Sequence, residues 1–351
     1  MFMFTENFLA KLASFNPKFN EPLAKYTTWQ IGGPAEILVR VKSSEELAAV
    51  VLVCREFGVK YTILGGGSNV LIADRGLSGV VIINQSTRIE ILSSQEFKEI
   101  PKIPTVHRTF GNQYYTFDDL DYVDTGPLVL VKFDSGVSLP YAIGWLHKQG
   151  ITGLQWFAGI PGTIGGALFN NIHGGSRHFS DNFYSAVILA EGVRRTVDCE
   201  YFNFGYDQSI LRSRPDLVIL EVTLQLPRGD VQKAKQIYQE WNKRKQIQPK
   251  HTCGCVFKNI SPEDQQRLGL PTPSVGYIID QILGWKGKTC GKLQISNWHA
   301  AFMENLGGAT AAEALSLIQE VRQAVKAKLG LELELEISLL GFSESELAKL
   351  R

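Results

Sequence analysis

A strand, a helix and a second strand follow one another near the N-terminus and end in a run of three glycines. Residues 35–41 (AEILVRV) have the apolar character of a strand. Ser43 and Glu46 form the pattern of a capping box ahead of a helix whose apolar residues recur at helical spacing. Residues 60–64 (KYTIL) predict the next strand, directly before residues 65–69 (GGGSN). This order predicts a βαβ unit of about 30 residues, and hence an α/β fold.

Two segments are unusually rich in glycine. We call residues 65–69 the first glycine loop and residues 158–167 (AGIPGTIGGA) the second glycine loop. Because glycine has no Cβ atom, backbone N–H groups in such loops can turn inward and surround a phosphate. Neither loop matches the dinucleotide motif G-x-G-x-x-G or the P-loop motif. A tight buried turn is the alternative for each loop, but two loops together, with Thr28 and residues 32–33 upstream, favour one large phosphate-bearing ligand.

Composition assigns the chain to the folded globular proteins and argues against several classes of partner. A length of 351 residues predicts two or three domains, and 44% hydrophobic residues exclude wholesale disorder. Lys and Arg number 36 against 35 Asp and Glu, so charge gives no case for nucleic acid or a membrane as the main partner. No apolar run approaches the ~18 residues of a membrane span, and the N-terminus lacks the features of a signal peptide. Five cysteines, an odd number, predict reduced thiols and a cytoplasmic protein.

The remaining segments continue the α/β pattern up to an alternating C-terminal tail. Further strands are predicted over residues 79–84, 128–133 and 218–226, and further helices over residues 139–149 and 231–246. Thr310 and Glu313 form a second capping box, and the helix that follows is expected to end at Gly330. Residues 331–340 (LELELEISLL) alternate strictly between apolar and polar, which predicts one long strand. Residues 86–125 are interpreted as a long excursion or an irregular hairpin.

Residues 251–255 (HTCGC) combine an imidazole with two closely spaced thiols. A structural zinc site needs four ligands, and no second cysteine pair follows, since Cys290 stands alone. A metal site is therefore not predicted. A reactive thiol fits the pattern better, because Arg244, Lys245 and Lys258 are close in sequence and are expected to lower its pKa. A small buried residue is the alternative for each cysteine.

Glutamates and a histidine in the C-terminal third are ambiguous on sequence pattern alone. Glu332, Glu334 and Glu336 all belong to the polar face of the predicted tail strand. Nothing in the alternation distinguishes one of them from the others. His299, in SNWHAAF, is on the same grounds a hydrogen-bonded residue without a defined role.

Seven short strings together resemble the UDP-N-acetylenolpyruvoylglucosamine reductase family (MurB, also called UDP-N-acetylmuramate dehydrogenase). Each string is modest, but all seven occur in the family's order over most of the chain. They are TTWQIGGPAEI (27–37), ILGGGSNVLIAD (63–74), GLQWFAGIPGTIGGA (153–167), GYDQS (205–209), GCVFKN (254–259), GWKGKTCGKLQIS (284–296) and LGLELELEISLLG (329–341).

The resemblance implies an α/β (α+β) fold with a two-part FAD-binding domain of the vanillyl-alcohol-oxidase type and a C-terminal α/β substrate-binding domain. The expected boundaries are residues 1–90 with the C-terminal strand 331–351 for the first FAD-binding subdomain, 91–228 for the second, and 229–330 for the substrate-binding domain. The implied cofactors are FAD and NADPH, and the implied substrate is a UDP-sugar. The residues expected to contact FAD are Gly65, Gly66, Gly67, Ser68, Asn69, Gly159, Ile160, Pro161, Gly162, Thr163, Gly165 and Gly166.

The reaction implied by the resemblance passes hydride from NADPH through the flavin to the enolpyruvyl group of UDP-N-acetylglucosamine enolpyruvate, giving UDP-N-acetylmuramate for peptidoglycan synthesis. The enolate that forms must be stabilised and protonated. Cys255 stands at the serine of the family motif GS-x-F-K-N and is the implied proton donor; an ordinary thiol, with a pKa of about 8.5, is far more acidic than an alcohol. The spacing from Gly330 and Gly341 assigns the family's glutamate to Glu336, the implied enolate stabiliser. The positions aligned with substrate contacts are Tyr206, Arg244, Asn259 and His299.

Two strings depart from the family pattern. Asp207 stands where the family has the arginine of Y-R-x-S, so the charge is reversed where negative charge develops; Arg212 and Arg214 are candidates to replace it. Residues 170–175 (NNIHGG) replace N-A-G-A-Y-G. His173 there is interpreted either as a local compensation or as the sign of a changed substrate, and it is also a candidate for covalent attachment of flavin. Two alternatives therefore stay open: a related FAD-dependent oxidoreductase with a different substrate, and a non-catalytic flavin-binding protein.

Overall fold

Strands and mostly short helices alternate along the chain in the computed structural model. The structure describes residues 4–94, 108–110, 113–115, 122, 124, 126–175, 177–205, 209–246, 248–348 and 350. The strands in these residues are β1 Lys18–Pro22, β2 Pro34–Val41, β3 Tyr61–Leu64, β4 Val70–Ile72, β5 Leu77–Asn84, β6 Ile89–Ser94, β7 Arg108–Phe110, β8 Gln113–Tyr115, β9 Leu128–Asp134, β10 His173–Gly174, β11 Arg177–His178, β12 Phe183–Ala190, β13 Val193–Val197, β14 Val218–Pro227, β15 Thr289–Cys290, β16 Leu293–Ile295, β17 Met303–Asn305 and β18 Ser338–Leu340.

Most of the helices are short, and most lie between two strands in the chain. They are α1 Glu6–Leu12, α2 Ser44–Glu56, α3 Leu139–Lys148, α4 Ile164–Asn170, α5 Cys199–Phe202, α6 Val231–Lys245, α7 Pro262–Arg267, α8 Val275–Tyr277, α9 Ala311–Leu329 and α10 Glu344–Ala348. A π-helical turn, Ile278–Ile282, continues α8. Turns of 3₁₀ helix occur at Ala13–Phe15, Ala24–Tyr26, Gln155–Phe157, Phe179–Asn182 and Ile210–Arg212.

The first sheet has the strand order β1-β2-β5-β3 and contains the predicted βαβ unit. Strands β2 and β3 both run parallel to β5, which lies between them. Helix α2 buries Leu47, Val50 and Val51 in the core beside this sheet. The predicted cap is confirmed, because Ser43 Oγ accepts a hydrogen bond from Glu46 N at 3.1 Å. The Glu46 carboxylate instead accepts from the backbone N–H of Lys42, one residue before the cap.

The second sheet is antiparallel throughout, with the order β13-β12-β14-β9-β6. Its inner face packs on α3 and α4 through a core that includes Phe133, Ile143 and Leu168. The strands predicted over residues 128–133 and 218–226 are confirmed as β9 and β14. The predicted excursion over residues 86–125 lies largely outside the described residues, except for the edge strand β6 and short described pieces near its end.

The C-terminal region packs α9 on the small sheet β15-β16-β17. The predicted helix is confirmed at both ends. Thr310 Oγ1 accepts from Glu313 N at 3.1 Å, and the Glu313 carboxylate accepts from Thr310 N at 2.7 Å. Gly330 ends the helix with φ of +67°, a left-handed conformation that glycine adopts without strain. The buried face of α9 thus fixes the segment that leads into the tail.

The tail does not form the single strand that its alternation predicts. Only Ser338–Leu340 forms a strand, β18, which pairs in parallel with β4. Residues 334–336 bond instead to residues 256–258: Lys258 N donates to Glu334 O, and Glu336 N donates to Val256 O, both at 2.9 Å. The prediction of one strand is wrong because the tail divides its backbone hydrogen bonds between two different partners. This division places Glu336 at the junction.

The three larger sheets occupy successive segments of the chain, residues 18–84, 89–227 and 289–305. Helix α6, assigned in advance to the last domain, buries Ile237 and Trp241 against Trp156 and Ala158. The exact boundaries at residues 90 and 228 therefore stay a prediction. No helix in the described part of the chain is long and apolar enough to cross a membrane.

Candidate active site

Both glycine loops border one large cavity. Its volume is about 910 Å³, at the upper end of the usual range of small-molecule sites. All twelve residues expected to contact FAD line it: Gly65, Gly66, Gly67, Ser68, Asn69, Gly159, Ile160, Pro161, Gly162, Thr163, Gly165 and Gly166. Cys255, Asn259, His299 and Glu336 line the same cavity. Tyr206 and Asp207 lie outside the described residues, so their places in the site stay predictions.

The two glycine loops touch each other directly. Ser68 Oγ donates to Pro161 O at 3.1 Å. A Cβ atom added to Gly66 would lie 2.6 Å from Gly162 Cα, closer than Cβ atoms normally approach another carbon. Gly162 also has φ of +128°, a conformation that disfavours other residues. Glycine is therefore needed here for the close approach of two backbones.

The cavity surface that these loops form is suited to a phosphate-bearing ligand. The glycines present backbone rather than side chains toward it. Thr163 caps the short helix α4, with Oγ1 accepting from Gly166 N at 3.2 Å, and this contact fixes the end of the second loop. The first loop is fixed by Thr28, whose N–H donates to Gly67 O at 3.1 Å. The residues present fit a dinucleotide held mainly by backbone.

Cys255 and Glu336 are brought to one side of the cavity by a short antiparallel pairing. Phe257 and Leu335 form the bridge, so Glu336 lies opposite Val256, the neighbour of Cys255. Cys255 is half-buried and faces Phe302 across a second bridge. Residues 81 positions apart thus share one site, and of the three glutamates Glu336 is the one that lines the cavity. Glu332 and Glu334 are exposed and ion-paired with lysines.

Cys253 behaves differently from Cys255, although only Gly254 separates them. It is buried, and burial raises the pKa of the Cys253 thiol well above its usual range; the nearby charge of Glu336 raises it further. The expectation that neighbouring cations lower the pKa is therefore wrong for Cys253. Among the described residues, no group of three His, Cys, Asp or Glu is arranged to hold a metal ion.

His299 lines the cavity as a neutral ring. It stacks on Phe302 with centroids 4.6 Å apart, and its Nδ1 accepts from Ala301 N at 3.3 Å. Desolvation, together with a smaller effect of the Lys286 charge, lowers the pKa of His299 to about 4. A neutral imidazole can hydrogen-bond to a ligand bound in the cavity.

The lowered pKa of His299 predicts a loss of stability in acid. A histidine with a lowered pKa in the folded state does not reduce stability above pH 6.5, its pKa in the unfolded chain. As the pH falls from 6.5 toward 4, stability is lost, because the unfolded chain binds a proton at this residue and the folded chain does not. We expect the free energy of unfolding to fall between pH 7 and pH 4.5 by about 2 kcal/mol more in the wild type than in His299→Gln. Urea unfolding at both pH values measures this difference, and equal losses in the two proteins would contradict it.

Of the two adjacent basic residues Arg244 and Lys245 at the end of α6, one lines the cavity. Arg244, aligned with a substrate contact, is not among the described residues that line the cavity, and its Nε donates to Glu240 at 2.9 Å. Lys245, which sequence reasoning did not assign to the site, lines the cavity and donates to Ala158 O at 2.7 Å. The basic run KRK marked this helix end, but which residue points inward depends on how α6 packs. The role of Arg244 stays a prediction.

The two arginines considered as replacements for the missing family arginine differ in position. Arg212 lines the cavity. Arg214 is exposed and paired with Asp216 at 2.7 Å. His173, the candidate for covalent flavin attachment, lines the cavity on β10, where it pairs with His178 of β11. Its attachment to flavin stays a prediction.

Comparisons with known proteins agree with this geometry. Residues 246–340 match the C-terminal domain of UDP-N-acetylenolpyruvoylglucosamine reductase, and residues 35–97 match an FAD-binding domain. The chain is 32% identical to the UDP-N-acetylenolpyruvoylglucosamine reductase of Rubrobacter xylanophilus, over 92% of this chain and 95% of that protein. It is 31% identical to reductase 1 of Bacillus thuringiensis subsp. konkukian, over 92% of this chain and 94% of that protein.

A solved structure extends the match to the whole fold. The structure of the reductase (MurB) from Thermus caldophilus is similar with a TM-score of 0.66 and 27% identity, covering 93% of this chain and 98% of that one. The predicted fold class, an FAD-binding domain followed by a C-terminal α/β domain, is thereby confirmed. Sequence, domain content and structure lead to one assignment: the chain belongs to the UDP-N-acetylenolpyruvoylglucosamine reductase family.

Proposed function

We propose that this protein is an FAD-dependent reductase that uses NADPH to convert UDP-N-acetylglucosamine enolpyruvate into UDP-N-acetylmuramate, a precursor of peptidoglycan. The observation that carries the proposal is one cavity that joins both glycine loops to Cys255 and Glu336. When bound, FAD supplies the redox chemistry, accepting hydride from NADPH and donating it to the enolpyruvyl double bond. Membership of the family supports the substrate and both cofactors.

The chain's own residues would bind FAD, orient the substrate and donate a proton to the enolate. The two glycine loops would hold the FAD pyrophosphate along side-chain-free backbone. Cys255 Sγ–H would protonate the enolate, and the Glu336 carboxyl group would stabilise it as charge develops. Asn259 and neutral His299, both at the cavity wall, would hydrogen-bond the substrate. Tyr206 and Arg244 are carried into this proposal by the resemblance alone.

Domain roles and location complete the proposal. Residues 1–90 with 331–351, and residues 91–228, would bind FAD, while residues 229–330 would bind the UDP-sugar. None of the five cysteines, which all lie in the described residues, is in a disulfide. This supports action in the reducing cytoplasm, where peptidoglycan precursors for growth and division are made.

Flavin absorbance tests the proposed function. The purified protein is expected to be yellow, to bleach with NADPH under anaerobic conditions, and to regain its colour when UDP-N-acetylglucosamine enolpyruvate is added. Bleaching without reoxidation by this substrate would contradict the proposal and favour a related oxidoreductase, the reading that Asp207 motivates. A yellow protein that NADPH does not bleach would favour a non-catalytic flavin-binding protein.

Gly66→Ala is expected to abolish most FAD binding. The new Cβ atom would sit 2.6 Å from Gly162 Cα, so the two glycine loops must move apart where the pyrophosphate is held. The flavin-to-protein absorbance ratio after gel filtration measures the loss. The matched control is Gly144→Ala on α3, where a Cβ atom meets nothing within 4 Å; it should keep full flavin content. Equal flavin content in both variants would refute the role of the close approach.

A further inference from the structure

Two hydrogen-bond donors share the same two acceptors beside Glu336. Asn69 Nδ2 donates to Asn170 Oδ1 at 3.2 Å and to the main-chain oxygen of Glu336 at 3.3 Å. Arg212 Nη2 donates to the same two atoms at 2.8 Å and 3.0 Å. The four residues lie far apart in sequence, and each lines the cavity. We call this group the Glu336 network.

The Glu336 network connects both glycine loops to the segment that contains Cys255. Asn69 ends the first glycine loop, and its own carbonyl accepts from Ser338 N at 3.0 Å. Asn170 ends α4, the helix that begins in the second glycine loop. Glu336 in turn donates its N–H to Val256 O, next to Cys255. Displacement of the Glu336 backbone would therefore change its position relative to both the flavin loops and Cys255.

Arg212 contributes a fixed positive charge to this network. The Arg and Lys side chains among the described cavity-lining residues are Arg212, Lys245 and Lys250. Lys245 Nζ is bound to Ala158 O, in the second glycine loop. Arg212 reaches the Glu336 network, where its Nη2 donates to the main-chain oxygen of Glu336 and to the amide oxygen of Asn170. A guanidinium group in this place is strongly suited to holding oxygen atoms in a defined geometry.

We propose that Arg212 is a positioning residue for Glu336 and, in a chain that has Asp207 where its family has arginine, the source of positive charge on the enolate side of the cavity. The proposal rests on the proposed function, since it concerns the step after hydride transfer. Arg212 donates a hydrogen bond to the main-chain oxygen of Glu336. This bond fixes the backbone from which the Glu336 carboxyl group extends. A loss of placement in a catalytic group commonly costs about 10²-fold in rate.

Half-reactions of the flavin test the proposal. In Arg212→Met, reoxidation of reduced flavin by UDP-N-acetylglucosamine enolpyruvate should slow by about 10²-fold, while reduction by NADPH stays within about twofold of wild type. In steady-state turnover, kcat should fall by a larger factor than KM changes. Binding of the UDP-sugar to the oxidised enzyme, followed by the shift in flavin absorbance, should be nearly unchanged. Arg212→Lys keeps the charge and one donor group, so its flavin should be reoxidised about tenfold faster than that of Arg212→Met.

Arg214→Met is the matched control, because Arg214 is two residues away, exposed and paired with Asp216. Equal reoxidation rates in the two methionine variants would overturn the proposal. Equal losses of flavin content, NADPH reduction and reoxidation in Arg212→Met would also overturn it, since Arg212 would then only hold the fold. If Arg212→Met does not retain flavin, Arg212→Lys decides by the same comparison of half-reactions. Failure of wild-type reoxidation would instead refute the proposed function, so the two failures are distinguishable.

Discussion

Replacement of Cys255 by alanine is expected to lower turnover by about 10²–10⁴-fold, the usual contribution of a positioned general acid. Cys255 is half-buried at the cavity wall, and the residue after it is hydrogen-bonded to Glu336. Removal of its Sγ–H leaves the enolate without a proton donor but leaves this backbone contact in place. Reduction of the flavin by NADPH should therefore stay unchanged. Stopped-flow absorbance of each half-reaction separates the two effects.

Two variants serve as controls for this result. Cys255→Ser introduces the residue that the family motif has and should keep most of the turnover. It should also resist peroxide, which we expect to inactivate the wild type by oxidising the thiol. Cys290→Ala removes a thiol on β15, outside the described cavity lining, and should turn over like wild type. Full turnover in Cys255→Ala would show that another group donates the proton.

Local sequence patterns predicted those parts of the site that are built from neighbouring residues. The glycine loops were identifiable because close backbone approach and positive φ require glycine at positions such as Gly66 and Gly162. The ends of α9 were predictable because a capping box and a C-terminal glycine act within one helical turn. The resemblance then joined these segments into one fold, since the order of the motifs carries long-range information that periodicity does not.

Patterns failed where the decision depends on a distant partner. Alternation in residues 331–340 predicts a strand but contains nothing to say that residues 256–258 and β4 will each pair with part of it. Cys253 is buried and Cys255 is half-buried, and nothing in the neighbouring sequence indicates this difference. Likewise the choice between Arg244 and Lys245 depends on which face of α6 packs against Trp156. Tertiary contacts decide each of these cases.

The sequence did not predict the Glu336 network, although it singled out some of the network's residues individually. Asn69 and Glu336 were predicted to be site residues for separate reasons, and Arg212 was one of two candidates for a missing charge. Asn170 had no assigned role. Their convergence on shared acceptors follows from the meeting of four segments, which the structure alone defines.

Glu336→Gln is expected to lower turnover by about 10²–10³-fold, the usual cost of removing one group that stabilises developing charge. The amide has the shape of the carboxyl group but lacks the acidic proton with which a neutral carboxyl group would stabilise the enolate. The bonds that hold residue 336 use its main-chain atoms: its N–H donates to Val256 O, and its oxygen accepts from Asn69 and Arg212. The variant should therefore fold, bind flavin and be reduced by NADPH at the wild-type rate, and the whole loss should fall on reoxidation by the enolpyruvyl sugar.

Glu334→Gln provides the matched comparison, because Glu334 lies two residues earlier on the same tail and its side chain is 75% exposed. Its ion pair with Lys258, at 3.1 Å, is a surface interaction worth at most about 1 kcal/mol, so this variant should turn over like wild type. If both glutamine variants lose the same activity, the tail matters only as a structural element. If neither loses activity, enolate stabilisation belongs to another group, and the position of Glu336 opposite Val256 would have no catalytic consequence.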